Sequence, residues 1–66
     1  MLSELSRSQW EHLIDEHVFS ERDRKIMKRK LLDGIPFEAL AEEVDMSTRQ
    51  VKNIVKKHKE NLIRFI

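Results

Sequence analysis

The residues best suited to chemical recognition lie in the last third of the chain. Arg49 and Asn53 stand four positions apart, with several lysines around them. At about 100° per residue, Arg49, Asn53 and Lys56 share one side of a helix, and Lys52 lies beside them. In the DNA major groove an Arg can form two hydrogen bonds to guanine, and an Asn can form two to adenine. The spacing therefore predicts that Arg49 and Asn53 read bases from one helix face.

Neighbouring groups extend this predicted contact surface. Lys52 and Lys56 can reach bases or phosphates, whereas Lys57 and Lys59 are predicted to contact the DNA backbone, which fixes register without reading sequence. Ser47 and the N–H groups that follow it offer a phosphate the hydrogen-bonding end of a helix.

Charge is segregated along the chain although the net charge is only +1. Residues 33–45 hold five acidic residues and no basic one, whereas residues 46–66 hold six basic residues and one acidic one. This pattern favours a polyanionic partner for the last third. A solvated helix surface is the alternative, and it is the commoner meaning of a charge run.

The length of 66 residues excludes several functions. A domain of about 60 residues buries only about 60% of its unfolded surface, which leaves no room for a substrate pocket beside a core, so we expect neither enzymatic activity nor a cofactor. There is no Cys, and His12 and His17 do not share a helix face, so no metal site is predicted. With no apolar run long enough for a membrane span and no signal sequence, a cytoplasmic location is expected.

The fold that must position these residues is predicted to be all-α, because the chain has one Gly, one Pro and no alternating apolar pattern. Ser8 and Glu11 have the spacing of a capping box, which starts a first helix. Ser20 and the acidic residues after it start a second helix over about 21–33, which Gly34 ends.

The second half of the chain predicts two helices separated by a turn of about three residues. Pro36 opens a short third helix, and Ser47 with Gln50 forms a second capping box, which starts a fourth helix over 48–64. A short helix, a tight turn and a longer helix with a basic outer face have the form of a helix-turn-helix, here over 37–58. The whole chain is then a single small four-helix domain.

The fourth helix also has an apolar face. With Val51 as the origin, five side chains fall within about 60° of it and are predicted to be buried: Ile54, Val55, His58, Leu62 and Phe65. His58 is predicted to be a hydrogen-bonded structural imidazole, and Trp10 a core anchor of the first helix.

Two apolar residues at the C-terminus do not fit this core. Ile63 lies about 120° from the apolar face, and Ile66 follows it. A fraying helix end is one explanation, and a partner surface is the other. A single helix-turn-helix buries only about 600–1,000 Å² on DNA, so a homodimer or a contact with RNA polymerase is expected.

From Glu21 to Leu62 the chain resembles the fourth conserved region of bacterial sigma factors, which reads the upstream promoter element. The segments that carry the resemblance are ERDRKIMKRKLLDG, FEALAEEVDMS and RQVKNIVKKHKENL. Response-regulator output domains and phage regulators share this four-helix form. The resemblance implies five promoter-reading residues and two backbone contacts on the second helix, namely Thr48, Arg49, Lys52, Asn53 and Lys56, and Arg22 and Lys25.

Several features depart from the family pattern. Asp45 stands where the turn usually has Gly, which predicts a left-handed backbone at a cost on the order of 1 kcal/mol. Pro36 and Gln50 replace hydroxyl residues, so the family's phosphate contacts at these positions are in question. The other sigma regions are absent, which implies a small sigma-like regulator of a phage or mobile element.

The sequence thus leaves two functions open. One is a transcription regulator that binds duplex DNA sequence-specifically. The other is a protein-interaction module that docks on RNA polymerase or a sigma-regulating partner. The basic run over 28–30 fits either a solvated face or a clamp on the DNA backbone.

Overall fold

The four predicted helices are confirmed in a computed structural model, which describes residues 5–65. Over this range the chain forms an all-α domain without strands. The helices are α1 (Arg7–His17), α2 (Glu21–Leu31), α3 (Phe37–Glu43) and α4 (Thr48–Leu62), and a 3-10 turn over Ile63–Phe65 follows α4. None of these helices is long and apolar enough to cross a membrane.

Helix α1 starts earlier than predicted, and the capping box assigned to Ser8 is wrong. Ser6 caps the helix: its hydroxyl accepts from the Gln9 N–H at 3.2 Å, and its own N–H donates to the Gln9 side chain at 2.8 Å. Both serines fit the same local pattern. The earlier start brings Arg7 into the helix, where its guanidinium reaches Asp33 just after α2, at 3.0 Å.

Helix α3 is short, and its neighbours set both of its ends. Pro36 is its N-cap rather than its first residue, and the Pro36 carbonyl accepts from the Leu40 N–H at 2.9 Å. After α3, Asp45 has a φ of 55°, which confirms the predicted left-handed turn residue. The Met46 N–H then donates back to the Ala41 carbonyl at 3.0 Å, so the turn satisfies a carbonyl at the end of α3.

Two further helix ends follow local signals. Gly34 has a φ of 67°, as expected of a glycine that stops a helix, although α2 ends at Leu31 and not at residue 33. The predicted capping box of α4 is confirmed, with both bonds between Ser47 and Gln50 at 3.1 Å. The start of α4 is therefore set by residues within one turn of it.

The core lies where all four helices meet. Trp10 from α1 is buried, as predicted, and Leu40 of α3 and Val51 of α4 are fully enclosed. The full set of buried apolar residues is Trp10, Ile14, Val18, Ile26, Met27, Leu40, Ala41, Val51, Val55 and Leu62. Helix α4 supplies three of them, so its apolar face is held against the other helices.

The prediction that Phe65 is buried is wrong, because 55% of this residue is exposed. The chain leaves α-helical geometry after Leu62 and enters the 3-10 turn. A 3-10 turn advances about 120° and about 2.0 Å per residue, so Phe65 points in the same direction as Leu62 but lies about 6 Å further along the axis, beyond the last buried residue of α4. Its ring stacks on His17, with the centroids 3.7 Å apart.

Candidate nucleic-acid interface

The face of α4 opposite the core carries basic and amide side chains. Arg49, Lys52, Asn53 and Lys56 are exposed, and Thr48 is half-buried. At a rise of 1.5 Å per residue, the five span about 12 Å of helix. The structure therefore brings all five predicted base-reading residues onto one helix of about two turns, with four of them open to solvent.

The predicted phosphate contacts on α4 surround this face. Ser47 and Lys57 are exposed, and Lys59 is half-buried. The Ser47 hydroxyl accepts from the Gln50 N–H at 3.1 Å, which leaves its O–H free to donate to another acceptor. Lys57 lies on the flank of the face, one residue past Lys56.

The two α2 residues proposed as backbone contacts have different surroundings. Arg22 donates from Nε to Asp23 at 3.2 Å, while 58% of its side chain stays exposed. Lys25 is exposed, and its positive charge acts on the carboxylate of Glu43 in α3. The pKa of Glu43 is lowered first by a hydrogen bond from Arg29, and the charge of Lys25 adds to this effect. Arg22 and Lys25 are three positions apart on α2, so they are neighbours on the surface of that helix, and their contact with DNA stays a prediction.

In the described part of the chain, the basic residues of the first two helices mostly have ion-pair or hydrogen-bond partners, whereas those of α4 and the 3-10 turn do not. Of the seven in residues 5–32, all except Lys25 contact a carboxylate or a backbone carbonyl: Arg7, Arg22, Arg24, Lys28, Arg29 and Lys30. Within residues 5–65, the six that follow make no ion pair or side-chain hydrogen bond: Arg49, Lys52, Lys56, Lys57, Lys59 and Arg64. A carboxylate would compete with a phosphate for these side chains. The basic side chains that are free to bind an anion therefore lie mainly on α4 and in the 3-10 turn that follows it.

Two residues of the basic run over 28–30 are paired with carboxylates of neighbouring helices. Lys28 Nζ lies 2.8 Å from Asp15 of α1, and Arg29 Nε donates to Glu43 of α3 at 3.0 Å. Hydrogen bonds from Lys28 and from Arg29 lower the pKa of Asp15 and of Glu43 respectively. These two residues therefore link α2 to its neighbouring helices, and they are neither simply solvated nor free to clamp DNA.

His58 joins α4 to α2. Its Nε2 lies 2.9 Å from Asp23 Oδ2, and both side chains are less than a fifth exposed. Burial raises the pKa of Asp23, but hydrogen bonds from His58 and Arg22 outweigh this effect, and the pKa lies below its ordinary value. The predicted structural imidazole is thus confirmed, but its partner, 35 residues away, has no signal in the sequence.

A second arrangement that the sequence did not reveal lies where α2, α3 and α4 meet. Lys30 Nζ sits 4.2 Å from the centroid of the Phe37 ring, and Lys52 Nζ sits 5.7 Å from it. Lys30 also donates to the Ile35 carbonyl at 3.1 Å. Two ammonium groups from different helices therefore converge on one aromatic ring.

Away from α4's basic face, the molecule exposes apolar residues. An open groove of about 330 Å³ runs between α1 and the 3-10 turn, lined by Leu5, Ser8, Gln9, His12, Leu13 and Phe65. Ile63, in the 3-10 turn, is 49% exposed, in agreement with its predicted position off the buried face. Ile66, the other residue of the predicted dimer contact, lies outside the described residues.

Comparisons with known protein families, with curated proteins and with solved structures found no match to this chain. The resemblance to sigma region 4 therefore stays a prediction. No group of three or more His, Asp or Glu side chains within residues 5–65 is arranged to hold a metal ion.

Proposed function

We propose that this protein is a transcription regulator that binds double-stranded DNA sequence-specifically through α4, in the manner of a sigma region 4-like helix-turn-helix. The observation that carries the proposal is the collection of unpaired basic residues on the solvent face of α4. Most basic side chains of the first two helices are paired within the protein. The unpaired positive charge is therefore concentrated on the solvent face of α4. Such a surface attracts the phosphates of a duplex.

The connection between α3 and α4 supports the same proposal. The two helices are separated by only four residues, and Asp45 takes the left-handed conformation inside that turn. Leu40, Ala41 and Val51 are buried at the junction. A short helix braced against a longer one in this way leaves the outer face of the longer helix free to enter a groove.

Salt dependence tests the electrostatic part of this proposal. If about five phosphates are neutralised, the logarithm of affinity should fall against the logarithm of salt concentration with a slope of roughly −4 to −5. The measurement is fluorescence anisotropy of a labelled 20-bp random duplex at salt concentrations from roughly 50 to 300 mM, a range wide enough to resolve such a slope. A slope near zero would contradict DNA binding by this face.

Base reading is tested by Arg49→Ala with Lys57→Ala as its matched control. Both residues are exposed and unpaired within the described part of the chain, so neither change should alter folding by more than about 0.5 kcal/mol. On duplexes selected from a random pool, Arg49→Ala should relax discrimination at one base pair by about 1–3 kcal/mol. Lys57→Ala should weaken all duplexes equally. Equal losses from Arg49→Ala on selected and random DNA would remove Arg49 from the reading role.

The open groove favours a second candidate function, a protein-interaction module that docks on RNA polymerase. Phe65, which lines that groove, and Ile63 of the same 3-10 turn are about half exposed, so apolar surface is available to a partner. The test is binding to purified RNA polymerase after nuclease treatment, with Lys52→Glu as a variant. Retention without DNA, together with no effect of Lys52→Glu, would favour this function over DNA reading.

A further inference from the structure

Two lysines approach one aromatic ring at the junction of three helices, which points to a specific anion site. Lys30 is carried by α2 and Lys52 by α4, while Phe37 is the first residue of α3. Both ammonium nitrogens lie within 5.7 Å of the centroid of the Phe37 ring. An ammonium group is attracted to an aromatic face, so Phe37 gathers both positive charges into one region of the surface, with the two nitrogens no more than about 10 Å apart.

This arrangement lacks a negative charge. Within residues 5–65 neither lysine forms an ion pair, although Lys28, two residues before Lys30 on the same helix, pairs with Asp15. The Phe37 ring has no net charge and the Ile35 carbonyl is neutral, so neither cancels the repulsion between the ammonium groups. An anion beside the ring would be attracted by both ammonium groups.

We propose that Lys30 and Lys52, held by Phe37, bind one phosphate of the DNA backbone beside the base-reading face of α4. The inference rests on the proposed function, and it adds two residues, Lys30 and Phe37, to the interface. It also assigns Lys52 a backbone contact in place of the base-reading role that the sequence predicted. A phosphate held between α2 and α4 fixes the position of α4 on the duplex without reading sequence.

The placement of Lys52 on the helix agrees with this assignment. Lys52 lies about 100° from Val51, at the margin of the exposed face, whereas Arg49 and Asn53 lie about 160° from it, near the centre of that face. A residue at the margin of a helix inserted in the major groove lies next to the sugar-phosphate backbone that borders the groove. Central residues point toward base edges.

The test compares three charge-removing variants by anisotropy on a labelled 20-bp random duplex, a probe suited to a sequence-independent contact. Lys30→Gln and Lys52→Gln should each weaken binding, whereas Lys28→Gln, the matched control on α2, should not. Loss of one neutralised phosphate reduces the magnitude of the salt slope by about 0.9. Between 1 M and 0.1 M salt, the affinity of the variant then rises by about eightfold less than that of the wild type. The double variant Lys30→Gln with Lys52→Gln should reduce the salt slope by about 0.9 in total, because both lysines hold the same phosphate, whereas two separate phosphates would reduce it by about 1.8.

The outcomes separate this site from the function on which it rests. If the wild-type protein binds with the expected slope but Lys30→Gln behaves like Lys28→Gln, the phosphate site is wrong and DNA binding stands. A reduction of the salt slope by about 1.8 in the double variant would also overturn the shared site, because it would show two separate phosphate contacts. If the wild-type protein shows no salt-dependent binding, both proposals fail. Thermal melting checks Lys30→Gln for a folding defect, and the exposed Lys52→Gln gives a second test that leaves the α2–α3 connection intact.

Discussion

Replacing Asp23 by Ala should destabilise the protein by removing the link between α2 and α4. Asp23 accepts a hydrogen bond from His58 at 2.9 Å, with side chains 16% and 17% exposed. A hydrogen bond to a charged group contributes about 1.5–3 kcal/mol when it is shielded from water. The additional contact with the exposed Arg22 adds little, because surface ion pairs contribute about 0–1 kcal/mol. We therefore expect a loss of about 2 kcal/mol from a total of about 3–5 kcal/mol for a domain of this size.

The chain provides its own probe for this measurement. Trp10 is the only tryptophan and is 8% exposed, so its fluorescence reports unfolding of the core. In urea at pH 7, a loss of about 2 kcal/mol lowers the unfolding midpoint by about 2 M if the slope is about 1 kcal/mol/M. Glu21→Ala is the matched control, because it removes another acidic residue from the first turn of α2 and tests the helix-dipole effect of about 0.3–1 kcal/mol.

The pH dependence of the same difference has a defined sign. The pKa of Asp23 is lower in the folded protein than its ordinary value of 3.8, so its contribution is present above pH 3.8 and is lost as the pH falls through the folded pKa. The gap in stability between wild type and Asp23→Ala should therefore shrink in acid. If Asp23→Ala were no more destabilising than Glu21→Ala at pH 7, the hydrogen bond to His58 would not hold α4 in place, and this reasoning would be refuted.

Two other predictions concern the connections around α3. Gly34→Ala should reduce stability by about 1 kcal/mol, because Gly34 has a φ of 67° and the new side chain meets no atom within 4 Å, so only backbone strain acts; an unchanged urea midpoint would contradict this. In acid, the contribution of the Arg29 ion pairs to the free energy of unfolding should disappear. Hydrogen bonds from Arg7 and Arg29 lower the pKa of Asp33, and one from Arg29 lowers that of Glu43, so these pairs stabilise above the ordinary values of 3.8 and 4.5 and are lost below them. Thermal melts of wild type and Arg29→Met should differ at pH 7 and converge near pH 2, and a constant difference would show that the pairs do not contribute.

Local signals in the sequence predict much of the fold of residues 5–65. The capping box at Ser47, the left-handed Asp45 and the stop at Gly34 each depend on atoms within about one helical turn. The exposed position of Arg49 and Asn53 follows in the same way, because a helix with a buried apolar face must turn its opposite side to solvent. All of this can be derived from spacing.

Spacing fails where two local patterns compete or where the core ends. Ser6 and Ser8 both fit a capping box, and only the folded chain shows that Ser6 is the cap. Phe65 has the direction of the apolar face, but it lies in the 3-10 turn beyond the last buried residue of α4, where it stacks on His17. A helical wheel gives the direction of a side chain, and it has no means of finding where along the helix axis the core ends.

The sequence by itself determined the four helices, the buried face of α4 and the concentration of basic residues on its other face, because each of these depends on neighbours three or four positions away. Only the tertiary structure decided which charges have partners. Lys28 and Arg29 are bound by carboxylates of other helices, and Lys30 and Lys52 both approach the Phe37 ring. Such pairs join residues that are far apart in the chain, and they form only when helix packing brings the two side chains within a few ångströms of each other.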